Sequence, residues 1–120
     1  MKILKSAEDY LEAIHMLNER NGLVRSIDVA QHLCVSKPSV SVAVKHLREA
    51  GYLEMDAQSH LLLTPAGSQI ARRVYARHKL LTSFLMRLGV DEEQAQADAC
   101  KIEHDISPAT FEAIQCFMQE

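Results

Sequence analysis

Six candidate side chains of the kinds that bind divalent metal ions are distributed along this chain of 120 residues, and five of them occur at helical spacing. Three of them, Cys100, Glu103 and His104, lie at i, i+3 and i+4, so a helix would present them on one face. Asp9 and Glu12 are likewise three residues apart. The complete candidate set is Asp9, Glu12, His78, Cys100, Glu103 and His104. If their helices converge, carboxylates, imidazoles and a thiol would surround one point, which predicts a metal site.

Each candidate ligand also has a structural explanation of its own. Asp9 could be the acidic partner in a capping box opened by Ser6, and Cys100 could be a small buried hydrophobe. Taken singly, these explanations are the simpler ones. The metal hypothesis is favoured because three residues of suitable type share one helical face and the others lie on helices that could pack nearby.

The elements that must position these residues are mainly helices. In the first half of the chain, helices are predicted from a cap at Ser6 to about Arg20, from Ile27, capped by Ser26, to about Leu33, and from Lys37 to about Ala50. In the second half, helices are predicted from Thr64-Pro65 through Leu88, from a capping box of Asp91 and Gln94 through His104, and from Ser107-Pro108 onward. Two β-type runs, Tyr52 to Met55 and His60 to Leu63, predict a small hairpin. The expected fold is mainly α. It comprises an N-terminal winged helix-turn-helix in residues 1–70 and a helical metal-binding and dimerisation domain in residues 71–120.

The second helix of a winged helix-turn-helix enters the major groove of DNA, and its hairpin lies along the backbone. Hydroxyl and ammonium groups at exposed positions near the start of that helix could reach phosphates or base edges. The candidate DNA-binding residues are Ser36, Lys37, Ser39, Ser41 and Lys45. A three-helix bundle with a solvated polar face, or a winged helix that binds only protein, is the alternative.

Charge is divided unevenly along the chain, whose formal net charge is -3. Residues 1–90 hold 12 Lys and Arg against 8 Asp and Glu, whereas residues 91–120 hold one Lys against 8 acids. A mildly basic front suits the phosphate backbone, and an acidic tail suits bound cations. A solvated acidic helix is the alternative for the tail.

Composition excludes several classes of protein. No apolar run approaches the roughly 18 to 20 residues that span a bilayer, and the N-terminus turns acidic at once, so we expect a cytoplasmic protein. Cys34, Cys100 and Cys116 form no CxxC motif, which argues against a zinc ribbon or a disulfide framework. The sequence contains no nucleophile motif or phosphate loop, so an enzyme is not expected.

Several stretches resemble one family from about Ala7 to about Phe117. They are Glu8-Asp9-Tyr10-Leu11-Glu12, the wing end Leu61-Leu62-Leu63-Thr64 with the following Pro65-Ala66-Gly67, Arg77-His78, Gly89-Val90-Asp91, and Cys100-Lys101-Ile102-Glu103-His104. In these the chain resembles the family of the diphtheria toxin repressor and the manganese transport regulator, the metal-dependent repressors of bacteria and archaea. The most specific parts of this resemblance are the Cys-x-x-Glu-His stretch and the early Asp-x-x-Glu motif.

The resemblance implies a homodimeric repressor in which metal holds the first helix against the sensing half and so fixes the spacing of the two recognition helices. It places all six candidate ligands on ligand positions of the family, and it implies that Glu12, His78 and Glu103 could serve a second metal. Asp9 stands where the manganese-responsive branch has aspartate. Cys100 stands where the iron-responsive branch has cysteine, so the ligand set is a hybrid.

These inferences predict a transcriptional repressor that binds double-stranded operator DNA as a homodimer when loaded with Mn(II) or Fe(II). Carboxylate oxygens suit Mn(II), whereas a thiolate favours Fe(II) or other divalent transition metals, so the ligand types leave the metal open. The rival hypotheses are a metal-independent winged-helix regulator and a small metallohydrolase built on the same cluster.

Overall fold

The computed structural model describes residues 5–119, which form six helices and one hairpin. The helices are α1 (Lys5–Asn21), α2 (Ser26–Leu33), α3 (Lys37–Glu49), α4 (Pro65–Arg87), α5 (Glu92–Ile102) and α6 (Pro108–Met118), and the strands are β1 (Leu53–Met55) and β2 (Leu61–Leu63). The chain divides into two compact units, one up to Arg72 and the other from Arg73 onward. None of the helices in the described part combines the length and the apolar character needed to cross a membrane.

The first unit is built around an aliphatic core. On α1, Leu11, Ile14 and Leu17 recur at helical spacing and are buried, as the apolar periodicity predicts. Val29 of α2 and Val40 of α3 are fully buried in the same cluster. Exclusion of these side chains from water is what holds the three helices together, since each buried aliphatic side chain contributes about 1.5 to 3 kcal/mol.

The hairpin is an antiparallel pair in which Leu53 lies opposite Leu63. Its second strand is fixed to the rest of the unit because the Leu61 amide donates to the Val24 carbonyl at 2.7 Å. Gly67, in the first turn of α4, packs so closely on the hairpin that an added Cβ would overlap the carbonyl oxygen of Tyr52. The hairpin is therefore held at two places, at Leu61 next to its turn and at Tyr52 next to its base.

Local capping chemistry sets most helix starts where the sequence predicts them. The side chains of Ser36, Asp91 and Ser107 each accept a hydrogen bond from the backbone amide three residues later, at the starts of α3, α5 and α6. Two predictions were wrong. Ser6 lies inside α1, and α2 begins at Ser26 itself, not after it.

The cause of the second error is an acidic residue in the first turn of α2. The Arg25 amide donates to Asp28 Oδ2 at 2.9 Å, which makes Arg25 the N-cap residue. This is the carboxylate half of a capping box, and it starts the helix one residue early. Arginine is not a usual N-cap, so the residue type at that position gave no signal.

The second unit contains the rest of α4 together with α5 and α6. Among the described residues of this unit, only the apolar side chains of Val74, Leu81, Ala95 and Ala99 are fully buried. On the α4 and α6 side, the rings of Phe84 and Phe117 meet edge to face with their centroids 6.1 Å apart. The unit thus has a small core and relies on aromatic contacts near its surface.

Candidate metal centre and nucleic-acid interface

Two candidate ligands, Glu103 and His104, lie on the connection between α5 and α6. The expectation that α5 would extend through both was wrong, because the helix ends at Ile102 and Glu103 is its C-cap. Glu103 keeps helical dihedral angles, φ -60° and ψ -26°, and its amide still donates to Ala99 at 2.9 Å. The one-face spacing from Cys100 to Glu103 is therefore preserved, whereas His104 begins the turn towards α6.

The carboxylate of Glu103 is the centre of the cluster and is almost completely buried, with 1% of the residue exposed. Its Oε2 lies 2.8 Å from Nδ1 of His78, and its Oε1 lies 3.3 Å from Nε2 of His104. The second distance is within ion-pair range, yet Oε1 accepts no hydrogen bond from the part of the chain that the structure describes. Burying a carboxylate oxygen without a well-directed partner is costly.

This geometry fits a bound cation. An incompletely satisfied buried carboxylate flanked by two imidazoles offers one oxygen and two nitrogen ligands of the kinds that Mn(II), Fe(II) and Zn(II) accept. His78 directs Nδ1 towards Glu103, so Nδ1 is the ring nitrogen placed to bind the same cation as the Glu103 carboxylate.

Cys100 is exposed on α5, and its Sγ lies within 4.8 Å of a carboxylate oxygen of Glu103. The second unit therefore brings together four of the six candidates: His78, Cys100, Glu103 and His104. Asp9 and Glu12 belong to the first unit, where both lie on α1 and Glu12 is 7% exposed.

Sequence reasoning gave Arg77 no role of its own, although it adjoins His78. Its Nη1 donates to the carbonyls of Glu103 at 3.1 Å and Ile106 at 3.3 Å, and its guanidinium lies 5.2 Å from the centroid of the Phe111 ring. Its place in the Arg77-His78 stretch of the family resemblance was the signal that the sequence offered. No local pattern links residue 77 to carbonyl groups more than 25 positions away.

The candidate DNA-binding residues lie at the exposed start and along the outer face of α3. Ser36, Lys37, Ser39, Ser41 and Lys45 are all exposed. Two of the hydroxyls already have structural partners, since Oγ of Ser36 caps the helix and lies 2.8 Å from Oγ of Ser39. Lys37, Ser41 and Lys45 are therefore the stronger candidates for direct contact with nucleic acid.

The wing and the helix-turn-helix contain further features that the sequence did not reveal. Arg25 Nε donates to the Gln58 carbonyl at 3.2 Å, so the α2 start holds the wing turn. Within that turn, the pKa of the Asp56 carboxyl is lowered, first by a hydrogen bond from the His60 amide. On α2, burial and then Arg20 lower the pKa of His32, so this imidazole adds little positive charge near pH 7.

Two family models match the chain in succession. Residues 2–61 match the N-terminal DNA-binding domain of the iron-dependent repressors, and residues 64–120 match their metal-binding and dimerisation domain. These matches confirm the expected resemblance and the expected mainly α architecture. They also confirm that the chain is a regulator and not an enzyme, which removes the metallohydrolase hypothesis.

Individual relatives agree. The chain is 40% identical over 114 residues to the HTH-type transcriptional regulator MntR of Bacillus pumilus, covering 95% of the chain and 79% of the relative. It is 36% identical over 113 residues to the transcriptional regulator MntR of Salmonella typhimurium, covering 94% of the chain and 72% of that protein.

Among solved structures, the manganese regulator SloR superposes with a TM-score of 0.84 at 32% identity, covering 99% of this chain and 55% of that one. The chain thus spans about half the length of this solved relative. The fold, the two domain matches and the relatives agree with one another, and the chain belongs to the family of metal-dependent transcriptional repressors that includes the diphtheria toxin repressor and the manganese transport regulator.

Proposed function

We propose that this protein is a cytoplasmic, homodimeric repressor that binds operator DNA when a divalent metal ion is bound. Residues 1–70 would contact DNA, and residues 71–120 would bind metal and form the dimer. The observation that carries the proposal is the buried Glu103 carboxylate between His78 and His104, within the segment that matches a metal-binding domain.

The proposed ligand set is completed by Asp9 and Glu12 of α1. These two residues are three apart on one helical face, and Glu12 is a buried carboxylate, which is unusual unless it has a polar or cationic partner. The family resemblance supports the same assignment. A bound divalent ion would supply the positive charge that lets several carboxylates lie close together.

The proposed ion is Mn(II) or Fe(II). The carboxylates and imidazoles of the set suit both ions, and one of the similar solved structures is that of the manganese regulator SloR. Cys100 adds a softer ligand than a carboxylate and would strengthen binding of Fe(II) relative to Mn(II). Metal selectivity should therefore depend on Cys100 more than on any other ligand.

The switch requires that metal bind the DNA-competent state more tightly than the inactive state. The residues of this chain provide a reason for such a difference. Without a cation, bringing Asp9 and Glu12 to Glu103 would add carboxylate repulsion, whereas with a cation the same approach is favourable. A coupling of about 1 to 3 kcal/mol would be typical of such systems.

For the DNA contact, we propose Ser36, Lys37, Ser39, Ser41 and Lys45. Exposure of all five on α3 supports this assignment. Lys37 and Lys45 would contact phosphates, and Ser41 would reach a phosphate or a base edge. The cap contacts of Ser36 and Ser39 suggest that these residues position the helix start as well as the DNA.

For dimerisation, we propose an apolar groove of the second unit between α4 and α6. It is lined by Phe84, Leu88, Ala109, Thr110, Ala113, Ile114 and Phe117. Leu88 and Phe117 are largely exposed, at 63% and 47%. Exposed apolar surface of this kind marks an interaction site, and the matching segment of the family is a dimerisation domain.

The test is anaerobic fluorescence anisotropy with labelled DNA from upstream of the protein's own gene. The protein is titrated in the presence of chelator, Mn(II), Fe(II) or Zn(II). We expect tight binding only with metal. Equal binding with chelator would reject metal control in favour of a metal-independent winged-helix regulator.

Three variants assign the response to the proposed site. Asp9→Ala and His104→Ala should abolish metal-stimulated binding while leaving the helical circular dichroism spectrum unchanged. Glu93→Ala is the matched control, because it removes an exposed carboxylate from the first turn of α5. A retained metal response in both ligand variants would reject the ligand assignment.

A further inference from the structure

Arg77 connects the α5–α6 turn to α4 through one nitrogen atom. Its Nη1 donates to the carbonyls of Glu103 and Ile106, at 3.1 Å and 3.3 Å. The two carbonyls bracket the turn in which His104 lies. A single donor between them therefore fixes the backbone on both sides of this imidazole.

The reason for this contact lies in the end of α5. The last four carbonyls of a helix have no amide partner within it, and a cation close to them is favoured by the helix dipole. Arg77 satisfies the Glu103 carbonyl in this region. Its guanidinium also faces the Phe111 ring of α6 at 5.2 Å, a cation–π distance that restrains the side chain.

His78, the residue after Arg77 on α4, anchors the side chain of Glu103. His78 contacts the Glu103 carboxylate at 2.8 Å, whereas Arg77 contacts the Glu103 carbonyl. Consecutive residues of α4 thus hold both the side chain and the backbone of one buried residue. Such double anchoring restricts the direction in which Oε1 can point.

We propose that Arg77 is a positioning residue for the metal centre, which holds Glu103 and His104 in the arrangement that binds metal. This inference rests on the proposed function, since it assumes that these two residues are ligands. Groups that orient metal ligands typically change metal affinity by about 10- to 100-fold when they are replaced.

Two effects of replacing Arg77 would change metal affinity in opposite directions. Arg77 is a cation near a cation site, so the loss of its charge alone would tighten metal binding. The loss of its hydrogen bonds would weaken binding, because the ligands would then have to be ordered when the metal binds. A residue with only a structural role would lower the stability of the metal-free protein without changing its affinity for metal.

The experiment measures Mn(II) affinity by electron paramagnetic resonance of the free ion, at a temperature where circular dichroism shows each variant to be folded. Arg77→Gln removes charge and geometry, whereas Arg77→Lys keeps the charge but not the planar fork that reaches two carbonyls. We expect both to bind Mn(II) about 10- to 100-fold more weakly than the wild type. The spectrum of bound Mn(II) should also broaden as the ligand geometry becomes less uniform.

The matched control is Lys79→Gln, two residues further along α4. Lys79 is exposed and lies 4.4 Å from the Tyr75 ring, so this variant removes a nearby positive charge without touching the turn. Its affinity should stay within about twofold of the wild type, because exposed charges are screened. If Arg77→Gln failed to fold, Arg77→Lys would decide the question alone.

Affinity equal to or tighter than that of the wild type in the Arg77 variants would overturn the inference. That result would leave the proposed function intact. Failure of the wild type to bind Mn(II), Fe(II) or Zn(II) would instead reject the proposed function, so the two failures are distinguishable.

Discussion

The two units of this protein are stabilised by different means. The first unit surrounds α1 with a continuous aliphatic core that includes Leu11, Ile14 and Leu61, each fully buried. The described part of the second unit buries few apolar side chains and leaves a groove of aromatic and aliphatic residues open at its surface. It also encloses the Glu103 carboxylate, whose Oε1 accepts no hydrogen bond from any described residue.

This difference indicates that the first unit is a scaffold and the second unit is a sensor. Apolar burial needs no ligand, so the DNA-reading unit can keep its recognition helix preformed. A buried carboxylate with an unsatisfied oxygen and an open apolar groove both gain stability when a partner binds to them. We therefore infer that the second unit is the part of the protein whose stability changes with metal and with dimerisation.

The largest expected effect tests the inference that the aliphatic core stabilises the first unit. Replacing Ile14 by alanine should lower the free energy of unfolding by about 2 to 5 kcal/mol, because it leaves a cavity in the aliphatic core. Urea unfolding with and without Mn(II) measures it, and the loss should be the same in both conditions. Ile27→Ala is the control, since Ile27 is 44% exposed and its loss should cost little.

Metal binding tests the inference that the second unit is the sensor. Mn(II) at 100 times its dissociation constant should raise the free energy of unfolding by about 2.7 kcal/mol. Hydrogen exchange should slow more in α5 and α6 than in α2 and α3, because the proposed ligands lie close to the former pair. Equal protection of all four helices would contradict the division into scaffold and sensor. Glu103→Ala should remove the effect.

The groove provides a third test. Phe117→Ser should weaken the dimer by about 10- to 100-fold, which corresponds to the loss of about 1.5 to 3 kcal/mol of aromatic burial. Sedimentation velocity over a range of concentrations measures the change. Leu23→Ser is the matched control, because Leu23 is an exposed apolar residue of the first unit at 63%. If Leu23→Ser dissociated the dimer instead, the dimer interface would lie on the first unit and not on the second.

A smaller effect concerns the helix caps, which both units share. Ser36→Ala and Ser107→Ala should each cost about 1 kcal/mol, because each removes the acceptor for an amide at the start of a helix. Thermal unfolding measures both. Replacement by glycine should cost only a few tenths of a kcal/mol. A larger loss for Ser36 in DNA binding than in stability would show that its hydroxyl also contacts DNA.

The smallest expected effect is a pH dependence confined to the wing. The pKa of Asp56 lies below its ordinary value of 3.8, so its contribution to stability is complete above that pH and is lost as the pH falls through the lower, folded-state value. The difference in unfolding free energy between the wild type and Asp56→Asn should therefore shrink as the pH falls below about 4. A difference that is unchanged at low pH would show that ionisation of Asp56 plays no part.

Local chemistry explains why so much of the fold was predictable. Ser36, Asp91 and Ser107 fix helix starts through contacts three residues away, and the apolar spacing of α1 identifies its buried face. The error at Ser26 has the same explanation, because the determining contact came from Asp28 and not from the residue type at the cap. The types of the six candidate ligands were likewise legible in the sequence.

By itself, the sequence determined the order of the helices and the position of the wing, because each depends on neighbours within about one helical turn, and it contained side chains of the types that bind metal. Only the tertiary structure decided that Glu103 is buried against His78 and His104 and that Arg77 holds its carbonyl. The His78 and Arg77 contacts join residues 25 or more positions apart. They exist because α4 packs beside the α5–α6 connection, and periodicity within one segment cannot specify which side chains of another segment it will meet.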